Sequence, residues 1–537
     1  MSHKIASTLF ESNNFAYTQI PLRNGTTANQ NGISDRVVYH PALHSDSSSE
    51  DEVLFDMQYT DEVDKKEDGK TYTVEEAVEA IGIGRFQLRL YIVCGIVTAA
   101  DALEMLLLAV LSPIVRCEWA LADYQVALIT TVVFTGMGVM APLWGFLGDR
   151  YGRKSAMRMF VAWVGYFGLL TSVVPNYTWI LILRGLVGGG MAGSPQGFAL
   201  LAEFLPSNHR AKVLITSSIF WAGGCIFEIF LASLIIPTIG WRWLLVFSAI
   251  PVLTAGLFLL CIPESARYLM AAGRVEEATV VLQNIAKENN SSLPEGKLVK
   301  SKEIQLGQFK DLFSSHYLRT TLQLWLLWFC AAFTYYGMIL ASAELLRNET
   351  KGSSKCKCAY LNYDDYMTMI ISTVGEFLCL PINLLLIDRV GRKITGTVNL
   401  ISTGVFFALL QIHTKRWMLT AILFGVRGFA AATFTWTYIY TSEVYPTSIR
   451  TLGIGTASSW ARIGAMITPF VAQVLLDYSV ADATWLYGCI CVICGVSAMF
   501  LPIETRGRAL PQSVSTSSFE ASDHDKESED ENKDKEK

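Results

Sequence analysis

The six residues Asp149-Arg150-Tyr151-Gly152-Arg153-Lys154 return 239 positions later as Asp388-Arg389-Val390-Gly391-Arg392-Lys393. Other landmarks keep nearly that offset. Glu203, Pro206 and Arg210 recur as Glu443, Pro446 and Arg450; Arg184 recurs as Arg427; and Pro263-Glu264 is echoed by Pro502-Ile503-Glu504. A register held over that distance means that one structural unit occurs twice in the chain.

Apolar runs surround each copy. A helix crosses a bilayer with roughly 20 mostly apolar residues. Twelve such stretches lie near 88–113, 124–146, 156–174, 179–201, 213–236, 243–262, 320–342, 366–387, 394–413, 418–440, 456–477 and 483–502. The expected fold is an all-α membrane protein with twelve transmembrane helices in two six-helix pseudo-symmetric bundles. The expected domains are an acidic tail over 1–73, an amphipathic helix with the first bundle over 74–269, a linker over 270–318, the second bundle over 319–506 and a second acidic tail over 507–537. Residues 74–84 read as a short amphipathic helix lying along the membrane.

Composition agrees. Of 537 residues, 51% are hydrophobic and 17% charged, against about 25% charged in soluble domains, so several independent soluble cores are excluded. Eleven cysteines are too sparse for a secreted disulfide scaffold. A net charge of -5 argues against nucleic acid as a partner. That acidity sits in the tails: residues 45–70 carry -7 and residues 507–537 carry -4, which leaves +6 on the rest. The first 70 residues are polar and offer no signal-peptide core, and an even number of spans puts both termini on one side. Arg150, Arg153, Lys154, Arg210, Lys212, Arg389, Arg392, Lys393 and Arg450 fall in loops of that same side, which the positive-inside rule makes cytosolic.

Several tempting patterns carry little. Gly188, Gly190 and Gly193 fit G-x-G-x-x-G but lie in an apolar helical run, where close helix packing explains them better than a dinucleotide. Cys489, Cys491 and Cys494 lack a ligating partner, and none of the seven histidines is mid-span, so neither a metal nor a cofactor is expected. No P-loop is present, and no enzyme activity is expected.

In order and in register, GFLGDRYGRK at 145–154, LRGLVGGG at 183–190, AEFLP at 202–206, GWRW at 240–243, PESARYL at 263–269, DRVGRK at 388–393 and SEVYPTSIR at 442–450 resemble the sugar-porter side of the major facilitator superfamily over most of 75–507. VEEAVEAIGIGRFQ at 74–87 and ADALEM at 100–105 look like the synaptic vesicle 2-related proteins. The loop between the seventh and eighth spans is only about 20 residues, too short for the large lumenal domain that the resemblance gives to the true synaptic vesicle glycoproteins.

The resemblance implies alternating access. Gly145 would let helices approach. Asp149, Arg150 and Arg153, with Asp388, Arg389 and Arg392, would form a cytosolic charge latch that Glu203, Arg210, Glu443 and Arg450 extend through inter-helix ion pairs; static topology is the blander reading of the same basic residues. Charges inside the spans cost about 2.5–3.5 kcal/mol each, so they call for a reason. Asp101 and Glu104, three apart on one helix, share a face. In proton-coupled sugar porters, positions matching Asp101 and Arg184 bind the proton and respond to it; a fixed buried ion pair is the alternative. Glu104 reads either as a second proton site or as counter-charge for a cationic substrate. Glu228 and Glu376 read as substrate contacts or as vestibule-facing carboxylates. Arg427 reads as neutralising an anionic substrate or as repeating the structural part of Arg184. Arg462 reads as snorkelling to the cytosolic interface. Trp221, Tyr335, Tyr336, Trp436 and Tyr438 would line a pocket for a planar or cationic molecule, or else face lipid. The paired glutamines and asparagine by which the family holds sugar hydroxyls are missing from 327–336, which disfavours a hexose.

Asn348-Glu349-Thr350 is a glycosylation acceptor on the expected lumenal side, and Cys117 shares that side with Cys356 and Cys358, either of which is a disulfide candidate. The Ser-rich acidic tails read as disordered and as sites for cytosolic binding proteins. The expected function is secondary active transport of a small organic ion, proton-coupled, on an intracellular vesicle, with a synaptic vesicle as the narrower reading. Two rivals stand beside it: a transporter-like vesicle protein that binds partners or nucleotides without moving substrate, and a facilitative uniporter.

Overall fold

The computed structural model describes residues 70–300, 307–351, 361–412 and 415–506, without the side chains of 208, 211 and 348–351. The acidic tails, Cys356, Cys358 and the Asn348 side chain lie outside the described residues, and so do the tail-binding, disulfide and glycan expectations that rest on them.

The helices are α1 Val74–Ile81, α2 Arg85–Glu118, α3 Asp123–Tyr151, α4 Arg153–Thr171, α5 Tyr177–Met191, α6 Pro195–Glu203, α7 Ser207–Thr216, α8 Ser218–Ile235, α9 Trp241–Phe258, α10 Ala266–Ala271 and α11 Val275–Glu288. They continue as α12 Leu318–Lys351, α13 Tyr363–Val390, α14 Arg392–Leu409, α15 Arg416–Val444, α16 Arg450–Pro469, α17 Leu476–Tyr478 and α18 Val480–Met499, with a π-helical stretch Phe470–Leu475 between α16 and α17. Twelve spans result, α5–α6, α7–α8 and α16–α17 each making one. Among the described residues nine segments are long and apolar enough to cross a bilayer on those grounds alone. The others are α4, which opens with Arg153, Lys154 and Arg158; α14, which carries Arg392, Lys393, Thr395, Thr397 and Asn399; and α5–α6, broken at residues 192–194.

In the first bundle α2 packs on α8 and α9, and α3 on α5; in the second α12 packs on α16, α13 on α15 and α14 on α18. The bundles meet along α3 with α16 and α8 with α13, pairs that the repeat exchanges, and along α2 with α12. Glycine permits the tightest crossing: a Cβ at Gly136 would sit 2.1 Å from the Gly185 carbonyl oxygen, and one at Gly188 2.1 Å from that of Val133. Helices α2 and α12 both begin beside the 270–318 segment. That end is called the linker end below, and the opposite one the far end.

The expected amphipathic helix is present but does not face lipid. Thr73 and Glu76 form a capping box at the start of α1, and its apolar stripe Val74, Ala77, Val78 and Ile81 is buried in protein, packed on α11. The described residues of the linker are ordered against the bundles too. β1 (Thr71–Tyr72) pairs in parallel with β2 (Lys297–Leu298), the Asn289 side chain accepts from the Phe86 amide and donates to Gln87, and Arg89 meets Glu288 at 2.9 Å. At its other end the Gly307 amide donates to the Ser448 carbonyl at 3.1 Å.

Candidate functional site

The repeated loop motif is a pair of helix caps. After Gly152 (φ +96°) and Gly391 (φ +102°), in a backbone region that L side chains rarely adopt, the chain starts α4 and α14. A carboxylate arrives at each exposed N-terminus, where free amides favour negative charge. Glu264 accepts from the amides of Lys154 and Ser155, and Glu504 from those of Arg392 and Lys393. Burial disfavours the charged form of Glu504, but its four backbone donors outweigh this and hold the carboxyl below its ordinary value of 4.5. A depressed folded-state value contributes stability above the unfolded value, and that contribution is lost as pH falls through the folded one. The unfolding midpoint of Glu504→Gln is therefore expected to lie below wild type at neutral pH, with the gap closing as pH drops beneath 4.5; thermal unfolding in detergent at several pH values reads this directly.

The latch charges pair inside their own bundles. Arg153 meets Asp149 at 2.6 Å and Glu203 at 3.4 Å, and Ser265 also donates to Glu203. Arg392 grips both oxygens of Glu443 at 2.8 and 2.9 Å and lies 3.9 Å from Asp388, while Thr505 donates to Glu443 at 2.6 Å. Arg210 and Arg450 do not hold these glutamates; they donate to the Leu205 and Tyr445 carbonyls. Arg150 lies over the Phe146 and Tyr151 rings, and Arg389 is exposed. A Cβ at Gly145 would meet nothing within 4 Å, so in this conformation the close approach belongs to Gly148, whose Cβ would meet Gln196. Among the described residues no ion pair joins the bundles at the linker end.

At the far end the bundles are locked together. Glu344 on α12 takes Arg116 from α2 and Arg347 from its own helix, each at 2.6 Å. Arg116 also reaches Asp123 at 3.2 Å, and Arg347 reaches Asp477 at 2.9 Å. Gln473 donates to Ser112 at 3.0 Å. No motif in the sequence points to this network.

Two buried ion pairs occupy mid-depth. Arg184 donates to Glu104, not Asp101, at 2.8 Å, and both are nearly inaccessible. Arg427 donates to Glu376 at 2.7 Å, Tyr335 donates to the other Glu376 oxygen at 3.1 Å, and Trp221 donates to the Tyr335 hydroxyl at 2.6 Å. Four of the pocket candidates thus form one chain that crosses between bundles. Glu228 is fully buried against Ser248 within the first bundle, and fully buried Trp436 donates to the Arg392 carbonyl and stacks on Tyr440. Neither reaches the boundary between bundles in this conformation.

Asp101 does reach it. Its Oδ1 has no hydrogen-bond partner, and its neighbours are Ser194, at the α5–α6 break, and Arg462. Arg462 is not at an interface: α16 begins at Arg450, which sets Arg462 near mid-span, with Nη1 3.6 Å from Met137 Sδ of the first bundle. Tyr336 and Tyr438 flank the same two charges, with Tyr336 packed on Phe134 at 4.8 Å.

The comparisons fit this geometry. The profile of the family described as "Sugar (and other) transporter" matches residues 43–513. The putative transporter SVOPL of Homo sapiens is 46% identical over 461 residues, covering 82% of this chain and 94% of that protein. The synaptic vesicle 2-related protein of Xenopus laevis is 45% identical, covering 82% and 83%. The inward open conformation of the xylose transporter XylE from E. coli superposes with a TM-score of 0.61 at 15% identity, covering 79% of this chain and 98% of that one, a likeness of fold alone. The chain belongs to the sugar (and other) transporter family and has its major facilitator fold.

Proposed function

We propose that the protein is a proton-coupled secondary active transporter of a small organic ion, working by alternating access in an intracellular vesicle membrane with its linker end and both termini in the cytosol. The observation that carries this reading is Asp101, which among the described residues is a carboxylate without an ion pair at mid-helix, on the boundary between two bundles that those residues join by ion pairs at one end only. A charge held there, away from lipid and next to a boundary that opens and closes, has a different environment in each state, which is what lets protonation bias the exchange. Glu104 and Arg184 hold their own pair beside it. The basic loops support the orientation, and the vesicle location rests on the names of the relatives.

The test is reconstitution into lipid vesicles with an imposed pH gradient, offering organic anions and cations to wild type and to Asp101→Asn. Uptake driven by the gradient in wild type and uncoupled from it in the variant is expected. Gradient-driven uptake that persists in Asp101→Asn would remove Asp101 from the coupling step.

A further inference from the structure

Arg116, Arg184, Arg347 and Arg427 each lie within the bundles and each have a carboxylate within 3 Å. Arg462 differs. Among the described residues no carboxylate oxygen comes within 4.0 Å of it; its neighbours are the Met137 sulfur and the Tyr336 hydroxyl. A guanidinium at mid-span without a counter-charge is costly, yet this one is only half-buried and stands on the boundary between bundles. Asp101 faces it from the other bundle without closing an ion pair, and the Asp101 Oδ1 is itself unpartnered. The surrounding rings are Phe134, Tyr336, Phe434 and Tyr438, with Tyr336 6.3 Å and Tyr438 5.7 Å from Phe434. Tyr438 is 44% exposed even though Trp328 packs on it at 4.4 Å, so one side of the ring borders open space beside the two charges.

We infer that Arg462 seats the acidic group of the transported ion and that the substrate is a small aromatic carboxylate. The inference rests on the transport reading above and names the substrate class for that site. Arginine presents a planar fork that fits a carboxylate in two hydrogen bonds, and the partly accessible Phe434 and Tyr438 rings, backed by buried Phe134 and Tyr336, offer edge and face contacts to a flat body. Coupling follows from the position of Asp101. When ionised it repels an incoming anion; when protonated it does not. Anion and proton therefore bind cooperatively, each strengthening the other by the same factor. The other groups acting on Asp101 are Glu104, held on Arg184, and the hydroxyls of Ser194, Tyr336 and Tyr438. All of them are kept in every variant below.

The test uses the purified full chain in detergent and three probes of like shape: benzoate, benzamide and benzylammonium, with binding read from ligand-induced thermal stabilisation. Benzoate alone is expected to bind, about tenfold more tightly near pH ~5.5 than near pH ~7.5. Arg462→Gln is expected to weaken benzoate at least about 30-fold. Arg462→Lys, which keeps the charge without the fork, falls between and guards against a folding defect in the first variant. Asp101→Asn is expected to bind benzoate equally at both pH values, at the strength wild type shows at the lower one. Undiminished benzoate binding by Arg462→Gln, preference for benzylammonium, or no benzoate binding by wild type would each overturn the assignment. Benzoate held through Arg462 without gradient-driven flux would uphold the site while sinking coupled transport, so the two failures are separable.

Discussion

In Glu344→Gln the far end is expected to be mostly open. Glu344 is 2% exposed and receives two arginines at 2.6 Å, Arg116 and Arg347, themselves 8% and 0% exposed. Neutralising it leaves both guanidiniums leaning on Asp123 and Asp477, at 3.2 and 2.9 Å. Removing one member of a buried pair costs about 3–5 kcal/mol, and the two remaining acids bring the figure toward the low end. The Arg116–Glu344 bridge joins the bundles, so the loss falls on the state in which they touch there. A change of ~3 kcal/mol moves a two-state ratio by roughly 100-fold. A cysteine placed at Ser112, which is 5% exposed and bonded across the boundary to Gln473, reports this as faster alkylation by a membrane-impermeant maleimide. Equal labelling with and without the Glu344→Gln substitution would show that the network does not hold the far end shut.

The second large effect concerns folding. Glu376→Gln removes the counter-charge of Arg427, which is 1% exposed, and weakens the acceptor for Tyr335. A loss of about 3–5 kcal/mol is expected, read as a much lower unfolding midpoint and poorer recovery of monodisperse protein. Adding Arg427→Met to the same chain is expected to restore most of it, because an apolar side chain has no charge to leave unpaired. A double variant no better than the single would mean that Glu376 acts mainly through Tyr335 and Trp221.

The two-fold plan of the chain is legible in its sequence because apolar length and a duplicated loop are properties of the chain itself. Partners are not. Asp101 and Glu104 lie three residues apart on α2, and spacing cannot say which of them turns toward α5; the fold gives Arg184 to Glu104. Arg462 reads as an interface residue when its span is started at 456, and as a mid-span charge once α16 is seen to begin at Arg450. Arg116 and Asp477 sit at helix ends, where charge resembles loop charge, and Glu344 meets Arg116 only because two bundles are brought together. Glu264 and Glu504 are visible as an echo, but their acceptor role needs backbone amides of α4 and α14 that no side-chain pattern reveals. Trp436 has the residue type of a pocket wall, yet it is spent on the Arg392 carbonyl.

The chain between the bundles is anchored on both sides of residues 301–306. Strand β2 fixes Leu298 to the segment just ahead of α2, and Gly307 is bonded to Ser448 beside α16. About nine peptide units lie between those two anchors, a leash of roughly 30 Å when drawn straight. While both contacts hold, a swing that draws these anchors apart at the linker end cannot carry them beyond that reach.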